Sequence, residues 1–185
     1  RPFPSFSVGK GGRGGTGSPL HADVGQTRFW KLQLSGRKRW RVVSPHDRER
    51  LYPSHPSAPK GSMASTMYQA DLFHPDLDSH PLLDGVTVYE AVTQPGDVIY
   101  IPEGWPHQVY NLDDSVSVAY NFIDDENVQD AAEVHARNLR ERAGATEANG
   151  DYRSCLWGSF FLPLDDPPPS LGSGAGDGKG KEKEG

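Results

Sequence analysis

From residue 87 to residue 123 the chain is written as four short β-rich runs, each closed by a tight turn. The runs 87–93, 97–101, 107–112 and 115–123 are separated by "QPGD", "PEGWP" and "LDDS", whose Pro, Gly and Asp favour reversals. Earlier in the chain, 3–8, 20–24, 28–34 and 37–43 read the same way, the last two joined by "SGR". Short strands at this spacing predict an all-β sandwich or barrel. From 125 to 143 the pattern becomes helical. Acidic residues open it, Val128, Ala132, His135 and Leu139 form a stripe, arginines close it and Gly144 follows.

Between the two groups of strands lies an excursion, 44–83, rich in Pro, Ser, His and Asp, with a short helix expected at "DRERL". Loops this long in a compact domain usually carry function or move, so it is expected at the barrel mouth, shaping substrate access. The glycine-rich "GKGGRGGTG" has no following G-K-[ST] and no helix after it, so it reads as a mobile turn, not a phosphate loop. Residues 1–164 are expected to form one domain, with "CLWGSFFLPL" folding back onto the barrel. The low-complexity stretch 165–185 is expected to be disordered.

Composition narrows the classes of function. A net charge of −6 argues against a general nucleic-acid binder. No run of about 18 apolar residues occurs, so no membrane span is expected, and no signal-peptide pattern opens the chain. A single cysteine excludes an internal disulfide and fits a reducing compartment, so an intracellular location, cytoplasmic or nuclear, is expected. The chain begins at Arg1 without a methionine, as a fragment of a longer protein would.

The chemistry starts at "GSPLHAD". Pro19 favours extended backbone around it, and side chains two apart on a strand share a face. His21 and Asp23 therefore project together, with Ala22 on the other side. An imidazole and a carboxylate side by side make two corners of a metal site. A third ligand would complete the two-histidine, one-carboxylate triad of non-haem iron(II) oxygenases. In "PGDVIYIPEGWPH" the turn delivers His107 to the start of a strand, on one face with Val109 and so inward.

Taken in order, "GTGSPLHAD", "LSGRKRWRVVSP", "PGDVIYIPEGWPH" and "SVAYNF" resemble the JmjC-domain, cupin-like 2-oxoglutarate oxygenases. The resemblance covers roughly residues 1–124. It is nearest the compact hydroxylase branch that includes the asparaginyl hydroxylase of hypoxia-inducible factor. It implies a double-stranded β-helix (jelly roll) with a C-terminal α-helix, iron(II) held by His21, Asp23 and His107, and 2-oxoglutarate as cosubstrate. By motif match, Lys38 would bind the distal carboxylate of 2-oxoglutarate. Period-2 alternation agrees: Arg37, Arg39 and Arg41 fall on one side, Lys38, Trp40 and Val42 on the other. A lysine on the apolar side needs a partner to stay charged.

Ser18 stands where relatives often carry a hydroxyl that touches the same carboxylate; its alternative role is a turn residue before Pro19. Asn121 lies on the small face of 115–123 with Ser117 and Ala119, which the family pattern turns toward the cosubstrate. Lys31 departs from the pattern, since some relatives carry an amide there; it competes with Lys38 as anion partner or faces solvent. Trp105 either walls the metal pocket or belongs to the core. The histidines of the excursion, His46, His55, His74 and His80, are explained by loop polarity. The resemblance implies an oxygenase that consumes dioxygen and releases succinate and carbon dioxide, most simply a hydroxylase of protein or peptide side chains. N-methyl demethylation and a non-catalytic cupin binding module are the alternatives.

Overall fold

The computed structural model of the chain describes residues 4–12, 15–54 and 66–146. Along them run β1 (Ser5–Gly9), β2 (Gly17–Ala22), β3 (Arg28–Ser35), β4 (Lys38–Val43), β5 (Thr66–Met67), β6 (Val88–Thr93), β7 (Val98–Ile101), β8 (His107–Asn111), β9 (Ser115–Phe122) and one helix, α1 (Val128–Thr146). The strands form two antiparallel sheets, ordered β1-β9-β3-β7 and β5-β2-β8-β4-β6. Early and late strands are neighbours in both sheets, which is the jelly-roll wind expected from the sequence.

Alternation along the paired strands separates an inner from an outer face. In the five-stranded sheet, Lys38, Trp40 and Val42 stand opposite Asn111, Val109 and His107. In the four-stranded sheet, Phe29, Lys31 and Gln33 stand opposite Asn121, Ala119 and Ser117. The two sets face each other across the interior, where the rings of Phe29 and Trp40 lie 6.5 Å apart. This interior is polar: Gln33, Lys38, Thr93, His107, Asn111, Ser115 and Ser117 are all buried.

The larger apolar core lies outside the five-stranded sheet. Leu20 and Ala22 of β2 and Val43 of β4 pack there with Leu51, Tyr68, Ala70, Leu72 and Leu83 of the excursion. Most of the described excursion therefore covers the outer face of this sheet, while β5 runs along β2 beside His21. The cause is hydrophobic: Leu20 and Ala22 of β2 and Val43 at the end of β4 are apolar on this side and must be removed from water. The expected short helix is a 3₁₀ segment, Pro45–Leu51, opened by Ser44, whose hydroxyl accepts from the His46 amide at 3.3 Å. β5, unforeseen in the sequence, pairs Met67 and Thr66 with His21 and Ala22 and so protects the edge of β2.

Three local expectations change. First, β2 begins at Gly17 instead of residue 20, and Pro19 sits inside it. Gly17 and Ser18 pair with Tyr110 and Val109, but His21 pairs with His107, so β2 holds one extra residue around Pro19. A bulge tolerates a proline because the unpaired position needs no amide donor. Second, the described part of the glycine-rich run is tied down. The Thr16 amide donates to the Lys10 carbonyl at 2.8 Å, Gly12 to Leu112 at 3.1 Å, and Gly11 to the Asp114 carboxylate at 2.9 Å.

Third, α1 is rotated from the expected stripe. Asn127, Ala131 and Val134 are buried, whereas Val128 is 47% exposed and Ala132 also faces out. Asn127 fixes the rotation: its amide donates to the Gln26 carbonyl at 2.8 Å, and its side-chain oxygen accepts from the Asp124 amide at 2.8 Å. The helix also runs through Gly144 to Thr146. "CLWGSFFLPL" and the stretch 165–185 lie outside the described residues. No helix among the described residues is long and apolar enough to cross a membrane.

Candidate metal centre

The end of β2 and the start of β8 bring the two histidines together, because His21 and His107 are cross-strand partners. Asp23 follows just past β2, and its extended backbone (φ −66°, ψ 162°) keeps it on the His21 side. One ligand atom from each of His21, Asp23 and His107 lies within 4.8 Å of the others, and this is the one such group of His, Cys, Asp or Glu among the described residues. Of the other described histidines, His46 lies in the 3₁₀ segment after β4, His74 is exposed beside Asp71, and His80 packs edge-on against Tyr52. His55 lies outside the described residues.

Backbone carbonyls orient both imidazoles. His21 Nδ1 lies 2.8 Å from the Pro19 carbonyl and His107 Nδ1 lies 3.0 Å from the Trp105 carbonyl. With Nδ1 protonated and donating, each ring presents a bare Nε2 lone pair, the arrangement a divalent metal requires. One oxygen of Asp23, Oδ2, is buried without a hydrogen-bond donor. A buried carboxylate oxygen left unsatisfied is costly, and a cation between the two rings would satisfy it. The donor set fits iron(II).

Electrostatics agree with the geometry. Burial and the charge of His21 press the His107 imidazolium down to a pKa of about 4, so this ring stays neutral. Burial also works to lower His21, but hydrogen bonds to Asp23 and the Pro19 carbonyl outweigh it and hold its pKa above the usual value. Burial works to raise Asp23, yet the bond to His21 and the nearby His107 keep its pKa below the usual range. His21 Nε2 and Asp23 Oδ1 lie 3.5 Å apart, so a metal bound to both would replace any proton held between them.

Lys38 is 4% exposed on the inner face, while the arginines beside it reach outward to Glu90 and Asp113. Its ammonium donates to Asn111 Oδ1 and, at 3.0 Å, to Ser115 Oγ. Neither partner was singled out in the sequence, although Asn111 shares its alternation with His107, and Ser115 with Ser117 and Asn121. Asn121 lies beside Asp23 and donates to Thr27 Oγ1 at 3.1 Å. Ser18 reaches the inner face only because of the bulge at Pro19, which resets the alternation before His21. Trp105 packs against Tyr89, ring centroids 6.0 Å apart, and Tyr89 stands beside Val42 at the level of His107 in the sheet. Phe29 and Trp40 wall the centre, 6.0 and 6.2 Å from the His107 ring.

A family model described as a cupin-like domain matches residues 11–127. The chain belongs to the cupin-like domain family, in its JmjC branch. Within this JmjC-type cupin family it is 33% identical over 109 residues to the 2-oxoglutarate and iron-dependent oxygenase JMJD4 of Mus musculus, a match covering 59% of this chain and 24% of that protein. It is 34% identical over 113 residues to the arginine-specific demethylase JMJ20 of Arabidopsis thaliana, covering 60% of this chain and 22% of that one. Over 109 residues it is 36% identical to lysine-specific demethylase 8 of Xenopus tropicalis, covering 59% and 23%. The chain thus spans about a quarter of the length of these relatives.

Proposed function

We propose that this JmjC-type cupin domain is an iron(II)- and 2-oxoglutarate-dependent oxygenase that hydroxylates a protein side chain. The observation that carries the reading is the convergence of His21, Asp23 and His107 within 4.8 Å, with a buried, unsatisfied carboxylate oxygen at the centre. Iron(II), when bound with 2-oxoglutarate and dioxygen, supplies the oxidising chemistry: one oxygen atom goes into a substrate C–H bond, the other into succinate, and carbon dioxide leaves.

The chain's own residues supply the setting. His21 and His107 offer Nε2 and Asp23 an oxygen, while the carbonyls of Pro19 and Trp105 keep both rings in the donating tautomer. Lys38 meets the distal carboxylate of the cosubstrate, with Asn111 and Ser115 steering its ammonium. Ser18 and Asn121 line the same interior from opposite sheets as further polar contacts. Phe29 and Trp40 keep water from the His107 side.

The relatives named as oxygenases support hydroxylation, and an aspartate in the second ligand position agrees with it. Those named as demethylases support N-methyl demethylation as the second reading. Both would act on a protein or peptide. Incubation with iron(II), 2-oxoglutarate and a candidate protein should yield succinate in step with 2-oxoglutarate consumption and add one oxygen atom to the substrate. Formaldehyde release would select demethylation instead. Asp23→Ala should abolish turnover and weaken metal binding by at least about 100-fold while leaving the barrel folded; normal turnover in that variant would overturn the assignment.

A further inference from the structure

The outer face of the four-stranded sheet is apolar. β9 turns Ser115, Ser117 and Ala119 into the interior, which leaves Val116, Val118, Tyr120 and Phe122 on the outside. The register of the neighbouring strands continues this side. One row, Val98–Leu32–Val118–Phe6, crosses all four strands, and the next, Tyr100–Trp30–Tyr120, crosses three. The rings of Trp30 and Tyr120 lie 6.2 Å apart, and those of Tyr100 and Phe122 6.4 Å.

None of these outer side chains is buried, and Phe6 and Val98 are 67% and 60% exposed. No charge interrupts either row. The next residue on this side of β3 is Arg28, at the metal end, where Glu103, Asp124 and Glu126 neutralise it. On the five-stranded sheet, by contrast, the outer apolar residues are covered by Leu51, Tyr68 and their neighbours. An antiparallel sheet with one wet face turns polar residues to that side. Here the polar side is the interior, so the apolar side calls for a cover.

Size decides what cover fits. Three strand spacings of about 4.8 Å and six residue steps of about 3.3 Å outline a patch of roughly 300–400 Å². A stable interface with a second copy takes about 800 Å² from each partner. One short apolar segment matches the smaller area. Outside the described residues the chain holds one such run, "CLWGSFFLPL" at 155–164, which carries Trp157, Phe160 and Phe161 and no charge. It is also within reach. α1, which follows the end of β9, has 19 residues and rises about 28 Å. The nine steps from Thr146 to Cys155 span up to about 30 Å, enough to return to the sheet.

We propose that residues 155–164 dock on the outer face of the four-stranded sheet, with Trp157, Phe160 and Phe161 covering the centre around Leu32 and Val118. The segment does for this sheet what Leu51 and Leu83 do for the other. Docking needs neither metal nor turnover, so it stands separately from the oxygenase reading.

Cys155, the single cysteine of the chain, provides the test. In the full chain a second cysteine is placed on the face in turn, as Val8→Cys, Val118→Cys and Val98→Cys. Disulfide formation under mild oxidation is read by mass spectrometry, and manganese(II) binding reports that each variant keeps its barrel. At least one position should close an intramolecular disulfide about 10-fold faster than Arg39→Cys, which sits on the outer side of the other sheet. Replacing Trp157→Ser and Phe161→Ser together should slow that closure to the control rate. The same double variant should bind about two-fold more of the apolar dye anilinonaphthalene sulfonate. No face disulfide above the control, or unchanged dye binding in the double variant, overturns the docking. Disulfides between two chains at these positions, with a dimer in sedimentation, would assign the face to a second copy and overturn it too.

Discussion

His21 and His107 are cross-strand partners on β2 and β8, with ring centroids 4.4 Å apart, and each ring is oriented by the carbonyl two residues before it. The metal centre is thus a property of a strand pair. Whatever moves β2 relative to β8 moves the ligands.

Gly17 is the tightest point of that pair. A Cβ at this position would meet the Val109 carbonyl oxygen at 2.1 Å, a backbone atom that cannot step aside. Gly17→Ala should push β2 away from β8, cost about 1–3 kcal/mol of stability and weaken metal binding together. Thermal unfolding and metal titration on the same preparation check this. Loss of stability with unchanged metal affinity would mean that the strand pair relaxes without disturbing the histidines.

Metal affinity should fall as the pH drops, and the fall should begin above pH 6.5. Both imidazoles must be neutral to ligate. His107 loses its proton at about 4 and so imposes no requirement near neutrality. His21 is held above its ordinary 6.5 by Asp23 and Pro19 against the pull of burial, so it carries a proton that the metal has to displace. Chelator competition across about pH 5.5–8 should therefore report release of roughly one proton per metal bound near pH 6.5. Release of two would put His107 in the same titration and contradict its burial.

Lys38→Ala should raise the apparent KM for 2-oxoglutarate by roughly 10- to 100-fold, since it removes a buried charge-assisted contact. Metal binding should change little, because Lys38 is not a ligand. Arg39→Ala is the control: its guanidinium points outward, 3.7 Å from Glu90, and the variant should behave as wild type. An Arg39→Ala defect with a silent Lys38→Ala would falsify the register on which the pocket is drawn.

Leu51 tests the role of the excursion. It is fully buried in the core outside the five-stranded sheet, so Leu51→Ala should cost about 2–5 kcal/mol. Denaturant unfolding measures this directly. A cost below about 1 kcal/mol would show that the excursion is not part of the cooperative core.

The strand alternation of this protein is legible in its sequence because it is local. A period of two residues puts His21 with Asp23, Lys38 with Trp40, and Ser117 with Asn121, whatever the rest of the chain does. The turn chemistry of "QPGD" and "PEGWP" likewise marks where runs end, so an all-β sandwich or barrel with His21, Asp23 and His107 as candidate ligands could be read before any packing was known. The family resemblance extended that reading to the jelly-roll class, to iron(II) and to Lys38.

Tertiary structure decided what depends on distant segments meeting. The bulge at Pro19, visible only against the register of β8, brings Ser18 round to the His21 face. Asn127, bonded to Gln26 from across the chain, sets the rotation of α1 and leaves Val128 in solvent. Leu51, Tyr68, Ala70, Leu72 and Leu83 of the excursion lie on the outer face because β2 and β4 present Leu20, Ala22 and Val43 there, a match no single segment announces. Lys31, one charge among several by sequence, became an interior cation once Trp40 of the opposite sheet closed over it. Local periodicity gives each side chain a face; only the pairing of the strands gives that face a neighbour.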